Sequence, residues 1–223
     1  PGYIDAHAGG LIAPGIGFTR ERETAATALV DGHWGFGQRL AHEAITLGID
    51  KAQRCGISAV GAYRCYHVGH LGAYARLAAE AGMVGIIAVN DGGGGQRVAP
   101  YGGIAGRLST NPLAVGLPTG TATPVILDMS TSIVAEGQVR LKHARREPMP
   151  LGGMIDALGQ GTADDEAFFR HTGSLLPLGE SVVYKVYGLG LAVDVLACIL
   201  GRAGHSRQQL PPYNIGFFVI VSD

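Results

Sequence analysis

The chain has 223 residues, of which 47% are hydrophobic and 16% charged, and its formal net charge is −1. This balance excludes a disordered chain, and the absence of a basic patch argues against a nucleic-acid partner. Glycine is unusually frequent, with 36 residues and no collagen-like period, which predicts many tight turns and close backbone approaches.

In the first half of the chain, strands and helices alternate. The predicted elements are, in order, a strand at Thr24–Val30, a turn at Asp31–Gly32, a helix at Gly37–Arg54 that stops at Gly56, a strand at Ile57–Tyr63, a helix at Leu71–Ala81, a strand at Met83–Val89 and a loop over residues 90–95. The order β-α-β-α-β indicates an α/β layered domain. Taken alone, it favours a parallel sheet.

The second half is less regular. The predicted elements are short strands at Leu113–Leu117 and Val125–Leu127, a helix at Ile133–Arg146 with a solvated basic face, an irregular polar surface excursion over residues 150–179, an apolar helix at Tyr187–Leu200 and a last strand at Ile215–Val221.

Cysteine content and hydropathy predict a cytoplasmic protein. Cys55, Cys65 and Cys198 are widely spaced and odd in number, which is no disulfide framework and fits a reducing compartment. The first residues contain an early aspartate and no apolar run, so we expect no signal peptide. The most apolar stretch, Leu189–Leu200, has about a dozen residues and includes Asp194, so it is too short to span a bilayer. We therefore expect no membrane partner.

The glycines do not form a common nucleotide-binding motif. A dinucleotide fingerprint needs G-x-G-x-x-G between a strand and a helix. Gly188 and Gly190 lie inside the apolar helix pattern, and the loop Gly92–Gly95 leads to Pro100 rather than to a helix. These observations argue against a Rossmann domain or a P-loop. A glycine loop beside another kind of cofactor remains open, because bare backbone N–H groups can bind phosphate.

His67 and His70 allow three interpretations. At spacing i, i+3 on a helix they could bind zinc, although no third ligand is evident. If His67 lies in the loop between a strand and a helix, it suits proton transfer near neutral pH. A histidine with a purely structural hydrogen bond is the third possibility. We expect no metal.

Three other polar positions have both structural and functional interpretations. Thr110 and Asn111 lie in a Ser-Thr-Asn-Pro sequence that forms either a plain turn or a ligand contact. Asp128 ends a strand, and the segment that follows it, Met129–Ser132, either caps a helix or belongs with Asp128 to a polar cluster that faces a ligand. Lys185 opens an apolar helix, where its charge opposes the helix dipole, so it suits a bound anion.

Five segments, in order, resemble the malate/L-lactate dehydrogenase family, which is unrelated to the Rossmann dehydrogenases. They are VDGHWGFGQ (Val30–Gln38), YRCYHVGHLGAYARLAAEAG (Tyr63–Gly82), VAPYGGIAGRLSTNPLAVGLP (Val98–Pro118), ILDMSTSIVAEGQV (Ile126–Val139) and LLPLG with YKVYGLGLAVDVL (within Leu175–Leu196). The H-V-G-x-L-G form and the late GHSR (residues 204–207) are most similar to its 2-hydroxycarboxylate dehydrogenase branch.

The resemblance implies reversible hydride transfer between NAD or NADP and a 2-oxo or 2-hydroxy acid. It also implies an α/β chain of the α+β type, with a non-Rossmann cofactor domain whose mostly antiparallel sheet is flanked by helices. In the family this domain packs on a helical domain built from both chain ends, and the enzymes are typically homodimers. The expected parallel sheet is thereby replaced by a mostly antiparallel one.

The resemblance also assigns roles to individual residues. His67 matches the acid/base histidine. The matches to cofactor-binding positions are Asn90, Asp91, Asp128, Met129, Ser130 and Lys185. Thr110 and Asn111 match a turn near the substrate or the nicotinamide, and Arg64 and Arg107 are candidates for binding the substrate carboxylate.

The chain also departs from the family pattern. The N-terminal Ser-His-Gly segment with its arginine and the C-terminal Pro-Gly-Glu segment are not found, so the helical second domain is expected to be largely absent. Residues 1–23 are expected to be a remnant of that domain or a linker, and residues 24–223 the cofactor domain. Val186 and Ser109 replace expected glycines. Two alternatives to catalysis as a dehydrogenase follow: an inactive fragment or homologue that binds a nicotinamide cofactor, and a metal-dependent hydrolase using His67 and His70.

Overall fold

The computed structural model describes residues 2–92, 94–205 and 214–223. Gly93 of the glycine loop, and Ser206 and Arg207 of the GHSR sequence, lie outside the described residues. Contacts divide the chain into two compact units, the first formed by residues 1–94, 112–129 and 193–223 and the second by residues 95–111 and 130–192. The expected boundary between residues 23 and 24 stays a prediction.

The described residues form both helices and strands. In chain order they are α1 (Gly2–Ala8), β1 (Thr19–Glu23), β2 (Thr27–Gly35), α2 (Gly37–Cys55), β3 (Ile57–Cys65), α3 (Gly72–Glu80), β4 (Val84–Asp91), β5 (Leu113–Leu117), β6 (Val125–Met129), α4 (Glu136–Arg145), β7 (Met154–Ile155), α5 (Glu166–Phe169), β8 (Ser174–Leu175), a 3₁₀ turn (Glu180–Val182), α6 (Val183–Asp194), a π-helical segment (Val195–Leu200) and β9 (Ile215–Ser222).

The first unit contains a seven-stranded sheet in the order β1-β2-β3-β9-β4-β5-β6. Strands β2 and β3 pair in parallel, and the other five pairs are antiparallel. The mostly antiparallel sheet is confirmed, and the parallel sheet suggested by the β-α-β-α-β order is wrong. The reason is that β9, from the far end of the chain, inserts between β3 and β4 and runs antiparallel to both.

Helices α2 and α3 cover one face of this sheet. Gly48 of α2 lies against Val221 of β9, and Ala78 of α3 lies against Gly85 of β4. On the other face, the residues after the π-helical segment pass Gly61 of β3. The core between these layers is apolar, and its fully buried side chains include Val30, Ile45, Val60, Phe217 and Val219.

A buried lysine ties α2 to the first hairpin. Lys51 is 2% exposed, and its Nζ donates to the Thr24 carbonyl at 2.6 Å and lies 2.9 Å from Glu23 Oε1. The hydrogen bond from Lys51 holds the pKa of Glu23 below its ordinary value. Because a buried ammonium needs such partners, Lys51 fixes the turn between β1 and β2 on α2.

Most element predictions in this unit are confirmed. The helix predicted at Gly37–Arg54 is α2, and Gly56 ends it with φ +80°, a conformation that favours glycine. The turn predicted at Asp31–Gly32 is wrong, because both residues lie inside β2. Asp31 tolerates this buried position because its carboxylate is paired with Arg64.

The second unit has its own hydrophobic cluster. Its buried members are Val98, Leu108, Val134, Val139, Met149, Met154, Phe168 and Leu175. Three of these, Met154, Phe168 and Leu175, come from residues 150–179, so part of this segment is buried, and the surface excursion expected there stays a prediction. The segment pairs β7 with β8 and is otherwise irregular, and its apolar residues are too scattered in sequence to show a helical or strand period. The helix predicted at Ile133–Arg146 begins later, at Glu136.

The late apolar helix is longer than predicted. Helix α6 and the π-helical segment together form 18 helical residues, Val183–Leu200, with a mean hydropathy of 1.8. Among the described residues, this one helix is long and apolar enough to cross a membrane by length and composition. Core helices, which are mostly buried, pass the same test, and 22% of this window is buried. One such helix is weak evidence for a membrane, and the absence of a membrane partner stays a prediction.

Candidate functional site

Six predicted site residues lie at one edge of the sheet in the first unit. Strands β3, β4 and β6 run in the same direction, so their carboxyl ends meet this edge. The residues at or just after these ends are Arg64, His67, Asn90, Asp91, Asp128 and Met129. The structure thus brings together polar residues from three separate sequence segments.

His67 lies in the extended loop between β3 and α3, and its side chain is exposed. The prediction of a strand-to-helix loop is confirmed, and the shared helix face needed for the zinc interpretation is absent from this segment. His67 Nδ1 lies 2.6 Å from Tyr3 Oη, which also accepts a hydrogen bond of 2.5 Å from Gln38 Nε2. Neither Tyr3 nor Gln38 was identified from the sequence, where nothing marks them apart from ordinary helix residues.

The loop that carries His67 is held closely by the start of α2. A Cβ built on Gly37 would lie 2.0 Å from the Tyr66 carbonyl oxygen and 2.7 Å from that of His67. No side chain fits at that distance, so glycine is required there for the close approach. The backbone of His67 is therefore positioned by α2 as well as by β3.

Asp128 caps a helix that is distant in sequence. Its Oδ2 accepts a hydrogen bond of 2.7 Å from the Gly72 N–H, at the start of α3, and lies 3.1 Å from His70 Nε2. Capping was predicted for the segment that follows Asp128, and the helix actually capped lies 56 residues earlier. Both of these contacts use Oδ2.

We expect Asp128→Ala to destabilise the fold by about 1 kcal/mol, because the Gly72 N–H loses its acceptor at the start of α3. Asp128→Asn keeps an acceptor oxygen and should stay within a few tenths of a kcal/mol of the parent. Urea unfolding followed by circular dichroism measures both variants. Equal losses for alanine and asparagine would contradict the capping role.

The two histidines of this region have different partners, Tyr3 for His67 and Asp128 for His70. Among the residues that the structure describes, no group of three or more His, Cys, Asp or Glu side chains is arranged to hold a metal ion. Burial raises the pKa of the Cys65 and Cys198 thiols, so neither is a ready nucleophile at neutral pH.

Arg64 binds a buried carboxylate. Its Nε donates to Asp31 Oδ1 at 2.9 Å, and its second guanidinium nitrogen donates to Asp31 Oδ2. Burial raises the pKa of Asp31, but the hydrogen bonds from Arg64 and the His33 N–H outweigh it and hold this pKa below its ordinary value. A substrate carboxylate at Arg64 would have to compete with Asp31, so its predicted substrate role stays a prediction.

Asn90 and Asp91 end β4. Asn90 is 1% exposed, and its Nδ2 donates to Asp194 Oδ1. Its own Oδ1 is buried and has no hydrogen-bond partner among the described residues. Asp91 Oδ1 accepts from the Gly94 N–H at 3.2 Å. Asp194 was not predicted as a site residue, although a charged residue inside an apolar stretch was a signal for it.

The second unit contains the remaining predicted residues. Asn111 is fully buried with φ +39°, and its Nδ2 donates to the Gly190 carbonyl at 2.8 Å. Its Oδ1 is a second buried acceptor without a partner in the described part of the chain. The Thr110 carbonyl accepts from the backbone N–H of Thr131 at 3.0 Å. The Thr-Asn pair therefore lies in an ordered turn.

Three polar side chains of the second unit are at least partly accessible. Lys185 is exposed, with Nζ 6.0 Å from the centre of the Tyr184 ring. Ser130 Oγ donates to the Ser132 carbonyl at 2.8 Å. Arg107 is exposed, and its guanidinium donates to the Gly106 carbonyl at 3.3 Å. Within this unit, the Lys185 ammonium, the Ser130 hydroxyl and the Arg107 guanidinium lie at separate positions.

Comparison with known proteins gives a consistent result. The sequence profile of the family described as malate/L-lactate dehydrogenase matches residues 1–223. A malate dehydrogenase of Pyrococcus abyssi is 39% identical over 214 residues, which cover 92% of this chain and 57% of that protein. An L-sulfolactate dehydrogenase of Methanothermobacter thermautotrophicus is 36% identical over 197 residues, covering 88% of this chain and 55% of that protein.

A solved structure shows the same fold. The crystal structure of malate dehydrogenase from Entamoeba histolytica superposes with a TM-score of 0.91 at 28% identity, over 99% of this chain and 64% of that one. The chain therefore spans somewhat more than half the length of these relatives.

Proposed function

The chain belongs to the malate/L-lactate dehydrogenase family, and from this membership we propose that it transfers hydride reversibly between a nicotinamide cofactor and a 2-oxo or 2-hydroxy acid. The two relatives named above are a malate and a sulfolactate dehydrogenase. Malate and sulfolactate both carry a hydroxyl on the carbon next to a carboxylate. We therefore propose a substrate with this arrangement.

The observation that carries the proposal is the placement of His67. Its imidazole is exposed at the sheet edge, and Nδ1 is held by Tyr3. A ring fixed through one nitrogen can exchange a proton through the other, and histidine does so near neutral pH. In our proposal His67 protonates the C2 oxygen during reduction and removes that proton during oxidation.

The polar groups of each unit suit a dinucleotide. Such a cofactor has hydroxyl and amide donors as well as phosphates, and it supplies or accepts the hydride when bound. In the first unit, Asn90 Oδ1 is a buried acceptor without a hydrogen-bond partner among the described residues. We propose that the cofactor is held by Asn90, Asp91, Asp128, Met129, Ser130 and Lys185, with the exposed Lys185 ammonium near a phosphate.

For the substrate we propose contacts from Thr110, Asn111 and an arginine. A carboxylate is bound most strongly by a guanidinium, which offers paired N–H donors. Arg107 is exposed, whereas the Arg64 guanidinium already binds Asp31. Of the two candidates, Arg107 thus needs no existing ion pair to be broken.

We further propose a cytoplasmic homodimer. The last two strands at one side of the sheet in the first unit carry exposed apolar side chains. These are Leu117 on β5 and Val125 and Leu127 on β6. Apolar surfaces of this kind are often buried between subunits.

The test is oxidation of NADH and NADPH by a panel of 2-oxo acids that includes oxaloacetate, pyruvate and sulfopyruvate. We expect loss of reduced-cofactor absorbance with at least one acid, and the same assay ranks NAD against NADP. The intact mass must equal that of the 223-residue sequence. Cofactor binding by calorimetry without turnover of any acid would favour the alternative, a homologue that binds the cofactor without catalysis.

A further inference from the structure

Three side chains form a hydrogen-bonded row that ends at His67. Gln38 of α2 donates from Nε2 to Tyr3 Oη at 2.5 Å, and Tyr3 Oη lies 2.6 Å from His67 Nδ1. Tyr3 lies on α1, 64 residues before His67. Its ring also packs edge-on against Tyr66, with the ring centres 5.5 Å apart. The phenol is thus held by its ring as well as by its hydroxyl.

We propose that Tyr3 is a positioning residue that keeps Nδ1 of His67 bonded through both directions of the reaction, and that Gln38 sets the direction of the hydrogen bonds in this row. The proposal rests on the acid/base role proposed above for His67. It goes beyond that role by naming the two residues through which the histidine is oriented.

The hydrogen bonds along this row can run in either of two directions, because Tyr3 and Gln38 can each donate or accept. A phenol hydroxyl can donate or accept, and a carboxamide presents either an N–H donor or a carbonyl acceptor. With Gln38 donating to Tyr3, the Tyr3 O–H points to Nδ1, and a neutral His67 carries its proton on Nε2. Rotating the amide by half a turn lets Tyr3 donate to Gln38 and accept from a protonated Nδ1.

Among the described residues, no hydrogen bond to Gln38 Oε1 opposes this rotation of the amide. Its Oε1 is buried and has no hydrogen-bond partner in the part of the chain that the structure describes. Its stem packs beside Gly69, where a Cβ would lie 3.5 Å from Gln38 Cγ. When the amide rotates, the hydrogen bond from Gln38 Nε2 to Tyr3 Oη breaks, and a hydrogen bond from Tyr3 to Gln38 Oε1 forms in its place.

Tyr3 stays protonated throughout. Burial raises the pKa of its hydroxyl above the ordinary value, and the hydrogen bond from Gln38 lowers it in part. The nearby titratable hydroxyl on α3 is that of Tyr74, which donates to the Val68 carbonyl at 2.7 Å. Burial raises the pKa of Tyr74 to about 12. At neutral pH both phenols are therefore uncharged.

The proton balance assigns each nitrogen one task. In reduction, C2 would gain the hydride that the nicotinamide supplies when bound, as the C–H bond of the cofactor breaks and the cofactor is oxidised, and the electron pair of the C=O bond would move to the oxygen. The Nε2–H bond of an imidazolium His67 breaks as an O–H bond forms, and the positive charge leaves the ring. Nδ1 keeps its proton, which it donates to Tyr3 Oη. Oxidation reverses these steps from the Nδ1–H form, in which the Gln38 amide is turned so that Tyr3 accepts from Nδ1, and Tyr3 holds the same ring nitrogen in both directions.

The first test removes one hydroxyl. Tyr3→Phe keeps the ring packing, and Tyr101→Phe, at an exposed tyrosine of the second unit, is the matched control. In the cofactor-free chain, ¹⁵N NMR of His67 should show the Nε2–H tautomer in the parent and a mixture in Tyr3→Phe. In turnover we expect kcat of reduction to fall about tenfold with KM within about twofold, and Tyr101→Phe to match the parent.

The second test reverses the row. In Gln38→Glu the carboxylate accepts from Tyr3, so Tyr3 must accept from Nδ1, and the protonated imidazole is stabilised. The pH dependence of reduction should therefore extend to higher pH, a change that loss of packing would not produce. Gln38→Leu should not show this extension.

An unchanged tautomer in Tyr3→Phe, or an unchanged pH profile in Gln38→Glu, would overturn the proposal. These outcomes are separable from failure of the proposed function. The NMR result needs neither cofactor nor substrate, so it stands even where no 2-oxo acid is reduced. Conversely, turnover that survives His67→Ala would remove the acid/base role while leaving the tautomer measurement valid.

Discussion

His67→Ala is expected to lower the rate of 2-oxo acid reduction by at least about 10²-fold, because general acid catalysis by a positioned side chain contributes about that much or more. The alkoxide that forms as hydride reaches C2 then has no proton donor at the sheet edge. Cofactor affinity should stay within about twofold, since the proposed cofactor contacts lie elsewhere. Stopped-flow turnover and calorimetric binding measure the two quantities.

The control for this prediction is another exposed histidine. His42 lies on α2 with its side chain exposed, and we have assigned it no role. His42→Ala should therefore leave both turnover and cofactor binding unchanged. Full activity in His67→Ala would show that the proton comes from another group.

Gly116→Ala is expected to destabilise the first unit by about 3 kcal/mol, which lowers Tm by roughly 10 °C. A Cβ at this position of β5 would lie 2.1 Å from the carbonyl oxygen of Ala75 and 2.6 Å from its carbonyl carbon. Both atoms belong to the backbone of α3, so the overlap is relieved by moving the whole helix away from the sheet. Such a movement opens gaps in a close-packed core.

A second glycine of the same unit provides the control. Gly17 is exposed, has no positive φ and has no atom within 4 Å of an added Cβ. Gly17→Ala should change the free energy of unfolding by less than about 0.5 kcal/mol. Thermal unfolding followed by circular dichroism compares the two variants. Equal Tm values for Gly116→Ala and the parent would mean that α3 is not pressed against β5.

The glycine content predicts that close backbone approaches occur, but not which residues make them. An excess of glycine predicted close backbone approaches, and Gly37 and Gly116 both show them. Their partners, the Tyr66 carbonyl and the Ala75 carbonyl, could not be named from the sequence. A close approach depends on which element packs against the glycine, and the glycine itself carries no information about that partner.

At the candidate site, too, the sequence identified single residues but not their distant partners. The sequence identified His67, and its position after a β-rich stretch placed it correctly in a strand-to-helix loop. Tyr3, 64 residues away, and Gln38 gave no signal, because a tyrosine and a glutamine in helices are ordinary residues there. A helix cap was predicted for the segment after Asp128, whereas Asp128 itself caps α3, which lies far earlier in the chain. Side-chain partners that are distant in the chain are chosen by the fold.

By itself, the sequence determined the type of most elements and the family. Strands and helices such as β3 and α2 are set by apolar periods over a few neighbouring residues, and the family by short segments in a fixed order. The tertiary structure alone decided that β9 lies between β3 and β4, that residues 150–179 contribute three side chains to a second hydrophobic cluster, and that Tyr3 holds His67. These features depend on burying apolar surface from distant segments at once, and that free energy is a property of the whole folded chain rather than of any local stretch.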